Sequence, residues 1–330
     1  VTEYSITGLT SDLPYEFRLC GTDGISTSEG VSVGSYAFKI GGTCDSQSSA
    51  TTCGQVAGTG LSSDPYILCT AAQLNNLSTC GVDKHFKLGS DIDMNAVSYT
   101  IPANFSGSFD GDGYTIYNLS ITQTTTDNIG MFANTSSGAV IKNLTLQSAS
   151  ITGRNKVGAI AGSTSGTSIE NITVYGSVSG VGQVGGIVGY NSASDTKFID
   201  SHVSVTGTGD KVGGILGEHL AGRIEYSYAD GAIIGNDYVG GLVGSVSVSG
   251  DIRKSYSRSS ITATGSNKGA IDGANSSIIP PSDTYFDNSV MATSVSGTGK
   301  TTDELSLINT FTNWDFMNWL VPDFRPPRNK

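Results

Sequence analysis

Positive charge is scarce in this 330-residue sequence. Its 18 Lys and Arg stand against 29 Asp and Glu, giving a formal net charge of -11 and a pI near 4.6. Phosphate recognition needs a basic face, so a nucleic-acid partner is not expected. Long apolar runs are missing too. None approaches the roughly 18 residues that span a bilayer, and membrane insertion is not expected. Histidine is limited to His85, His202 and His219, widely scattered, and no CxxC pair accompanies them, so a metal centre has little to build on. There is no GxSxG phrase for a serine hydrolase. Glycine-rich stretches such as Val181-Gly-Gln-Val-Gly-Gly186 lack the lysine and the following helix of a phosphate loop.

Cysteine is absent from the last 250 residues: Cys20, Cys44, Cys53, Cys69 and Cys80 all fall in the first quarter. Disulfides are the expected use, which implies an oxidising, extracytoplasmic compartment. The sequentially local pairs Cys44 with Cys53 and Cys69 with Cys80 are the simplest arrangement, although others stay open. Cys20 is then free or intermolecular. The chain opens inside a strand-like phrase and is expected to be cut from something longer.

Glycine is plentiful at 44 residues, charged residues make up only 14%, and Ser, Thr, Val and Ile are common. That composition suits strands and turns and predicts an all-β protein.

One phrase recurs along the chain. Ile129-Gly-Met-Phe132, Val157-Gly-Ala-Ile160, Val184-Gly-Gly-Ile-Val-Gly189, Val212-Gly-Gly-Ile-Leu-Gly217, Val239-Gly-Gly-Leu-Val-Gly244 and Lys268-Gly-Ala-Ile-Asp-Gly273 start 28, 27, 28, 27 and 29 residues apart. A second phrase lies between them: Ile141-Lys-Asn-Leu-Thr-Leu146, Ile169-Glu-Asn-Ile-Thr-Val174, Phe198-Ile-Asp-Ser-His-Val203, Ile224-Glu-Tyr-Ser-Tyr-Ala229 and Ile252-Arg-Lys-Ser-Tyr-Ser257. Its apolar positions, 141 and then 144 and 146, cannot all face inward from one straight strand of period two. The chain must bend near Asn143. A similar break falls between Val184 and Ile187, where Gly185-Gly186 permits conformations closed to other residues. Two bends and a return loop per repeat describe one coil of a parallel β-helix.

Stacked coils align equivalent residues into columns. Val157, Val184, Val212 and Val239 form one buried column in this reading; Ile141, Ile169, Phe198, Ile224 and Ile252 form another. Leu144, Ile172, Ser201, Ser227 and Ser255 form an inward column that turns from aliphatic to small polar. Thr145, Thr173, His202, Tyr228 and Tyr256 form an outward column, with Tyr226 beside it. Such aromatic rows stack on sugar rings, or on one another as a shield for the coil. His202, Tyr226, Tyr228 and Tyr256 are therefore the candidate ligand-binding residues.

The V-G-G-[IL]-[VL]-G phrase resembles the GLUG repeat of bacterial surface proteins. Its lead-in is also similar: Asp64-Pro-Tyr-Ile-Leu-Cys-Thr-Ala-Ala-Gln-Leu74, Phe86-Lys-Leu-Gly-Ser-Asp-Ile-Asp93 and Phe105-Ser-Gly-Ser-Phe-Asp-Gly-Asp-Gly-Tyr-Thr-Ile116. The resemblance implies a right-handed parallel β-helix in a secreted or wall-associated protein, chiefly an adhesin, with no shared catalytic residue. Lys268-Gly-Ala-Ile-Asp-Gly273 departs from the pattern and reads as a last, frayed coil. Residues 1–40 resemble the end of a fibronectin type III domain through Tyr4-Ser-Ile-Thr-Gly-Leu-Thr10, Tyr15-Glu-Phe-Arg-Leu19 and the turn Gly21-Thr-Asp-Gly24. So few strands leave an open edge, to be filled by a missing part or by another chain in a fibre, for instance a trimer. Thr302-Asp-Glu-Leu305 marks a helical start, and the aromatic cluster around Phe311 and Trp319 is expected to cap the solenoid.

The expected organisation is a fibronectin-like segment at 1–40, a Cys-containing linker at 41–63, a cap with the first coils at 64–127, the repeat array at 128–300 and a C-terminal cap and tail at 301–330. Asp91 with Asp93, and Asp110 with Asp112, place carboxylates on one strand face, a spacing shared by calcium sites and catalytic pairs. Turn or cap roles are expected for them, so no cofactor is expected, calcium being the ion they would suit. The predicted function is an extracellular or bacterial-surface adhesin that presents a rigid face to a glycan or protein, and not an enzyme. The alternatives are a polysaccharide-degrading β-helix and a structural spacer.

Overall fold

The computed structural model describes residues 14–19, 31–37, 44 and 56–291, with 294, 296–307, 310, 311 and 314. The chain divides into two units, Val1–Ser46 and Gln47–Lys330. In the first, strands Pro14–Leu19 and Val31–Ala37 pair antiparallel, with a register shift between Glu16 and Arg18. The phrase at 4–10, the turn at 21–24 and Cys20 lie outside the described residues.

The second unit is a parallel β-solenoid of about seven turns, and the helices are confined to its ends. A coil contains a short strand at the glycine phrase, such as Asn155–Val157, a second such as Ala161–Thr164, and a long bent run such as Ser168–Gly180. The bend predicted near Asn143 is present. Asn143, Asn171, Phe198, Tyr226 and Lys254 all hold left-handed backbone, with φ between 41 and 55°. Asparagine tolerates that region, and its amide adds a ladder here: Asn171 Nδ2 donates to Asn143 Oδ1 at 2.9 Å, and Asn143 Nδ2 to Asp110 Oδ1 at 2.9 Å.

The second break has a different cause from the one expected. The left-handed residues there are Lys156, Gln183, Lys211 and Tyr238, just before each valine, and not the glycines. Glycine is required because neighbouring backbone comes too close for a side chain. A Cβ on Gly185 would lie 2.1 Å from the Val188 carbonyl oxygen, and one on Gly186 would lie 2.2 Å from that of Gly214.

Val157, Val184, Val212 and Val239 stack in register as expected, all fully buried. Each such side chain stabilises the fold by about 1.5–3 kcal/mol relative to exposure. Two other columns are corrected by two residues at the third coil. Ile169 pairs with Thr196, not Phe198, and Thr196 pairs with Ile224. Ile172 pairs with Ile199, so Ser201 falls instead beside Val174 and Ala229. Phe198 occupies the left-handed corner, a place where sequence alone suggests asparagine. The change to small polar residues starts at Ser227, whose hydroxyl bonds the Glu225 carbonyl at 3.0 Å; Ser255 repeats this on Arg253 at 2.7 Å.

A charged column runs beside these. Lys87, Asp110, Lys142, Glu170, Lys197, Glu225 and Arg253 follow one another in register, one per coil, and the sign alternates at every step. Opposite charges placed side by side on neighbouring strands stabilise a pair by about 0.2–1 kcal/mol.

The coil at Lys268–Gly273 is not the last. Asp272 is buried against Val243, and Tyr285–Asp287 and Thr298–Lys300 extend the stack. Helix Thr302–Leu305 then starts from a Thr301–Glu304 capping box. At the other end a Thr70–Gln73 capping box begins helix Ala71–Asn75, which with Leu77 seals the first coil through buried Leu74 and Leu77.

Candidate functional site

The second phrase builds one facet of the solenoid, and the register on that facet decides where the candidate residues lie. Its first outward column is Thr145, Thr173, Asp200, Tyr228, Tyr256 and Tyr285. His202 is therefore not in the tyrosine column. It sits two residues along, in register with Tyr175, and the slip at Phe198 accounts for the difference.

The tyrosines are not open to solvent as the outward reading required. Tyr228 is 5% exposed and Tyr256 only 1%. Their rings stack at 4.4 Å, and Phe311 and Trp314 lie over them: Phe311 is 5.4 Å from Tyr256 and 5.6 Å from Tyr285, and Trp314 is 6.0 Å from Tyr285. Leu305 completes this cluster. The capping aromatics thus cover the flank of the solenoid, along the facet, where the column of Tyr228, Tyr256 and Tyr285 gives them an apolar surface. Burial pushes both phenols well above their ordinary pKa. Tyr226 stays half-buried at its corner, stacked on Phe198 at 5.3 Å and 3°, with its hydroxyl accepting from Lys254 Nζ at 2.9 Å.

His202 is held between two carboxylates. Nδ1 donates to Asp230 at 2.8 Å, and Nε2 lies 3.0 Å from Asp200. Burial opposes its charge, but the hydrogen bonds and charges of Asp200 and Asp230 outweigh that and raise its pKa to about 10. Asp230 also accepts from the Tyr228 hydroxyl at 2.7 Å. One coil further on Arg258 meets Asp287 at 3.3 Å. Towards the N-terminus the His202 column continues to Tyr175; beyond a register shift at Gln147 and Ser148, Gln147 is in register with Tyr117.

The acidic pairs bond local backbone and the next coil. Asp93 accepts from Asn95 N–H at 2.9 Å and Asn118 Nδ2 at 2.8 Å, which lowers its pKa. Asp110 accepts from Asp112 N–H at 2.9 Å, and Asp91 from Thr115 N–H at 2.8 Å. Asp112 pairs with Lys87 at 3.1 Å. Among the described residues no group of three His, Cys, Asp or Glu is arranged to hold a metal ion. Cys44, Cys69 and Cys80 are disulfide-bonded, while Cys53 lies outside the described residues. Among the described residues no helix is long and apolar enough to cross a membrane.

Sequence reasoning missed the Asp200–His202–Asp230 arrangement and the charged column. Both were signalled by charges recurring at the repeat spacing, and the slip at the third coil hid them. It also missed His219, fully buried beside Asn191 at 3.2 Å, where burial lowers its pKa to about 4.

Residues 80–176 match the family model of the M26 IgA1-specific metallo-endopeptidase N-terminal region. A crystal structure from Bacteroides ovatus, provisionally described as an immunoglobulin A1 protease, shares the fold: TM-score 0.65 and 24% identity, covering 78% of this chain and 90% of that one. Halomucin of Haloquadratum walsbyi is 30% identical over 156 residues, 43% of this chain. A protein of Evansella cellulosilytica, provisionally named a Gly-rich membrane protein, is 32% identical over 108 residues, 29% of this chain. The chain spans only 2% and 12% of the lengths of those two relatives. The expectation that the chain is not an enzyme is overturned by the family match, which connects it to metallo-endopeptidases. The expectation rested on missing catalytic motifs and on the resemblance to adhesins, whereas the match lies in lead-in and coil residues. The chain is thus a parallel β-helix whose first coils are similar to the N-terminal region of M26 IgA1-specific metallo-endopeptidases.

Proposed function

We propose that this chain is the recognition module of a secreted or surface-attached protein, presenting one rigid facet of a β-helix to a partner on another molecule or cell, as an adhesin does. The observation that carries this reading is the asymmetry of that facet. Its C-terminal half is closed by Leu305, Phe311 and Trp314, while its N-terminal half keeps aromatic and polar side chains at the surface. A solenoid holds such side chains at fixed spacing, so a partner is met without ordering a loop first. The bonded cysteines support an extracytoplasmic setting. The similarity to an M26 N-terminal region supports a version in which the captured molecule is the target of a metallo-endopeptidase.

Beads coated with the full chain test this on a panel of epithelial and microbial cell surfaces. Adhesion to at least one surface, competed by soluble chain, is the expected result. Beads that adhere to none would make the solenoid a spacer.

A further inference from the structure

Among the described residues only two aromatic side chains are markedly exposed, Tyr117 and Tyr175, each 37%. They lie on the same facet, two coils apart. Tyr117 is in register with Gln147, and Tyr175 lies one coil further on, facing the bulge of Gln147 and Ser148 between the Leu146–Val174 and Ala149–Gly176 pairs. At about 4.8 Å per coil the two tyrosines are roughly 10 Å apart along the axis, with one amide between them. Beside them, in the neighbouring outward column, Thr115, Thr145 and Thr173 form a ladder of half-buried hydroxyls. Tyr175 is fixed from below by its stack on His202, at 4.5 Å and 4°.

We infer that this stripe binds an uncharged polysaccharide lying along the solenoid axis, with Tyr117 and Tyr175 as the ring-stacking groups and Gln147 and the threonines as hydroxyl partners. The inference rests on the recognition reading above and names its ligand class. Three observations favour this occupant. An extended pyranose chain repeats at a length of the same order as a coil, so successive rings meet successive side chains. Rings with hydroxyls and an amide beside them suit a partner with an apolar ring face and a polar rim. The local charge suits a neutral polymer, because Asp93 closes one end as a carboxylate and the imidazolium of His202 is taken up by Asp200 and Asp230. An anionic chain would meet an acidic protein with no unshared cation along this stripe. The C-terminal continuation shows that aromatic columns on this facet accept ring partners, since the chain's own Phe311 and Trp314 pack on it with tilted rings.

Affinity gel electrophoresis of the full chain tests the inference, with galactomannan, xyloglucan and dextran as neutral probes and alginate as the anionic one. Retardation by at least one neutral probe is expected, unchanged from low to high salt. Tyr117→Ala and Tyr175→Ala should each weaken it about threefold to tenfold, and the double variant should abolish it while keeping the wild-type melting temperature. Retardation by alginate alone, by no probe, or equally by wild type and the folded double variant would overturn the inference. Cell adhesion that persists in the double variant would overturn the glycan stripe and leave the recognition module standing; loss of all adhesion by the wild type removes both.

Discussion

The imidazole of His202 lies parallel to the ring of Tyr175, one coil away, and its two nitrogens face Asp200 and Asp230. Because its folded pKa is about 10 against 6.5 for the ordinary group, the folded chain keeps a proton that the unfolded chain gives up. The resulting stability is complete below pH 6.5 and lost as pH rises towards 10. The melting temperature of wild type should exceed that of His202→Gln most at pH 6, and the gap should close by pH 10.5. Each kcal/mol corresponds to about 2–4 °C. A gap independent of pH would mean that the imidazole is neutral.

His219 predicts the opposite limb. Fully buried, with its pKa lowered to about 4, it stays neutral while the unfolded chain protonates below 6.5. Stability should therefore fall as pH drops from 6.5 to 4. Valine occupies the same position one coil on, at Val246. His219→Val should flatten that part of the melting curve against pH relative to wild type.

Two glycines in the array should respond differently to alanine. On Gly240 a Cβ would lie 1.9 Å from the Val243 carbonyl oxygen and 2.7 Å from the Gly273 nitrogen, both backbone atoms that cannot move aside. Gly240→Ala should cost about 3 kcal/mol or more. On Gly182 the nearest atom is 3.3 Å away, and Gly182→Ala should stay within about 0.5 kcal/mol. Urea denaturation midpoints of the two variants compare them directly.

Asn171→Val should be among the costlier changes at the surface. It forces a β-branched residue to φ 54° and removes the bond to Asn143. A loss of about 2–4 kcal/mol is expected in the same denaturation assay. Asn171→Gly, which keeps the backbone and loses only the ladder bond, should cost less.

The parts of this fold set by local rules could be read from the sequence. Repeat spacing gave the coil, and strand parity placed a bend at Asn143 because two apolar positions of opposite parity must both point inward. The third coil was misread for an equally physical reason. Phe198 carries an apolar side chain at a corner, where it stacks on Tyr226, and it drew the alignment two residues away from Thr196. That slip put His202 among the tyrosines and hid Lys197, which completes the alternation between Glu170 and Glu225. The cover over Tyr256 was beyond sequence reasoning, because the fold-back of Phe311 and Trp314 onto it is a long-range contact with no local signature.

The alternating column from Lys87 to Arg253 limits how an array of this kind changes length. Excising the coil of Glu170 would set Lys142 beside Lys197, two like charges at strand spacing, whereas excising the next coil as well sets Lys142 beside Glu225. A second stripe, Asp195, Arg223 and Asp251, imposes the same condition. The unit that can be removed without setting like charges together is therefore a pair of coils, and engineered length variants that keep their stability should differ by even numbers.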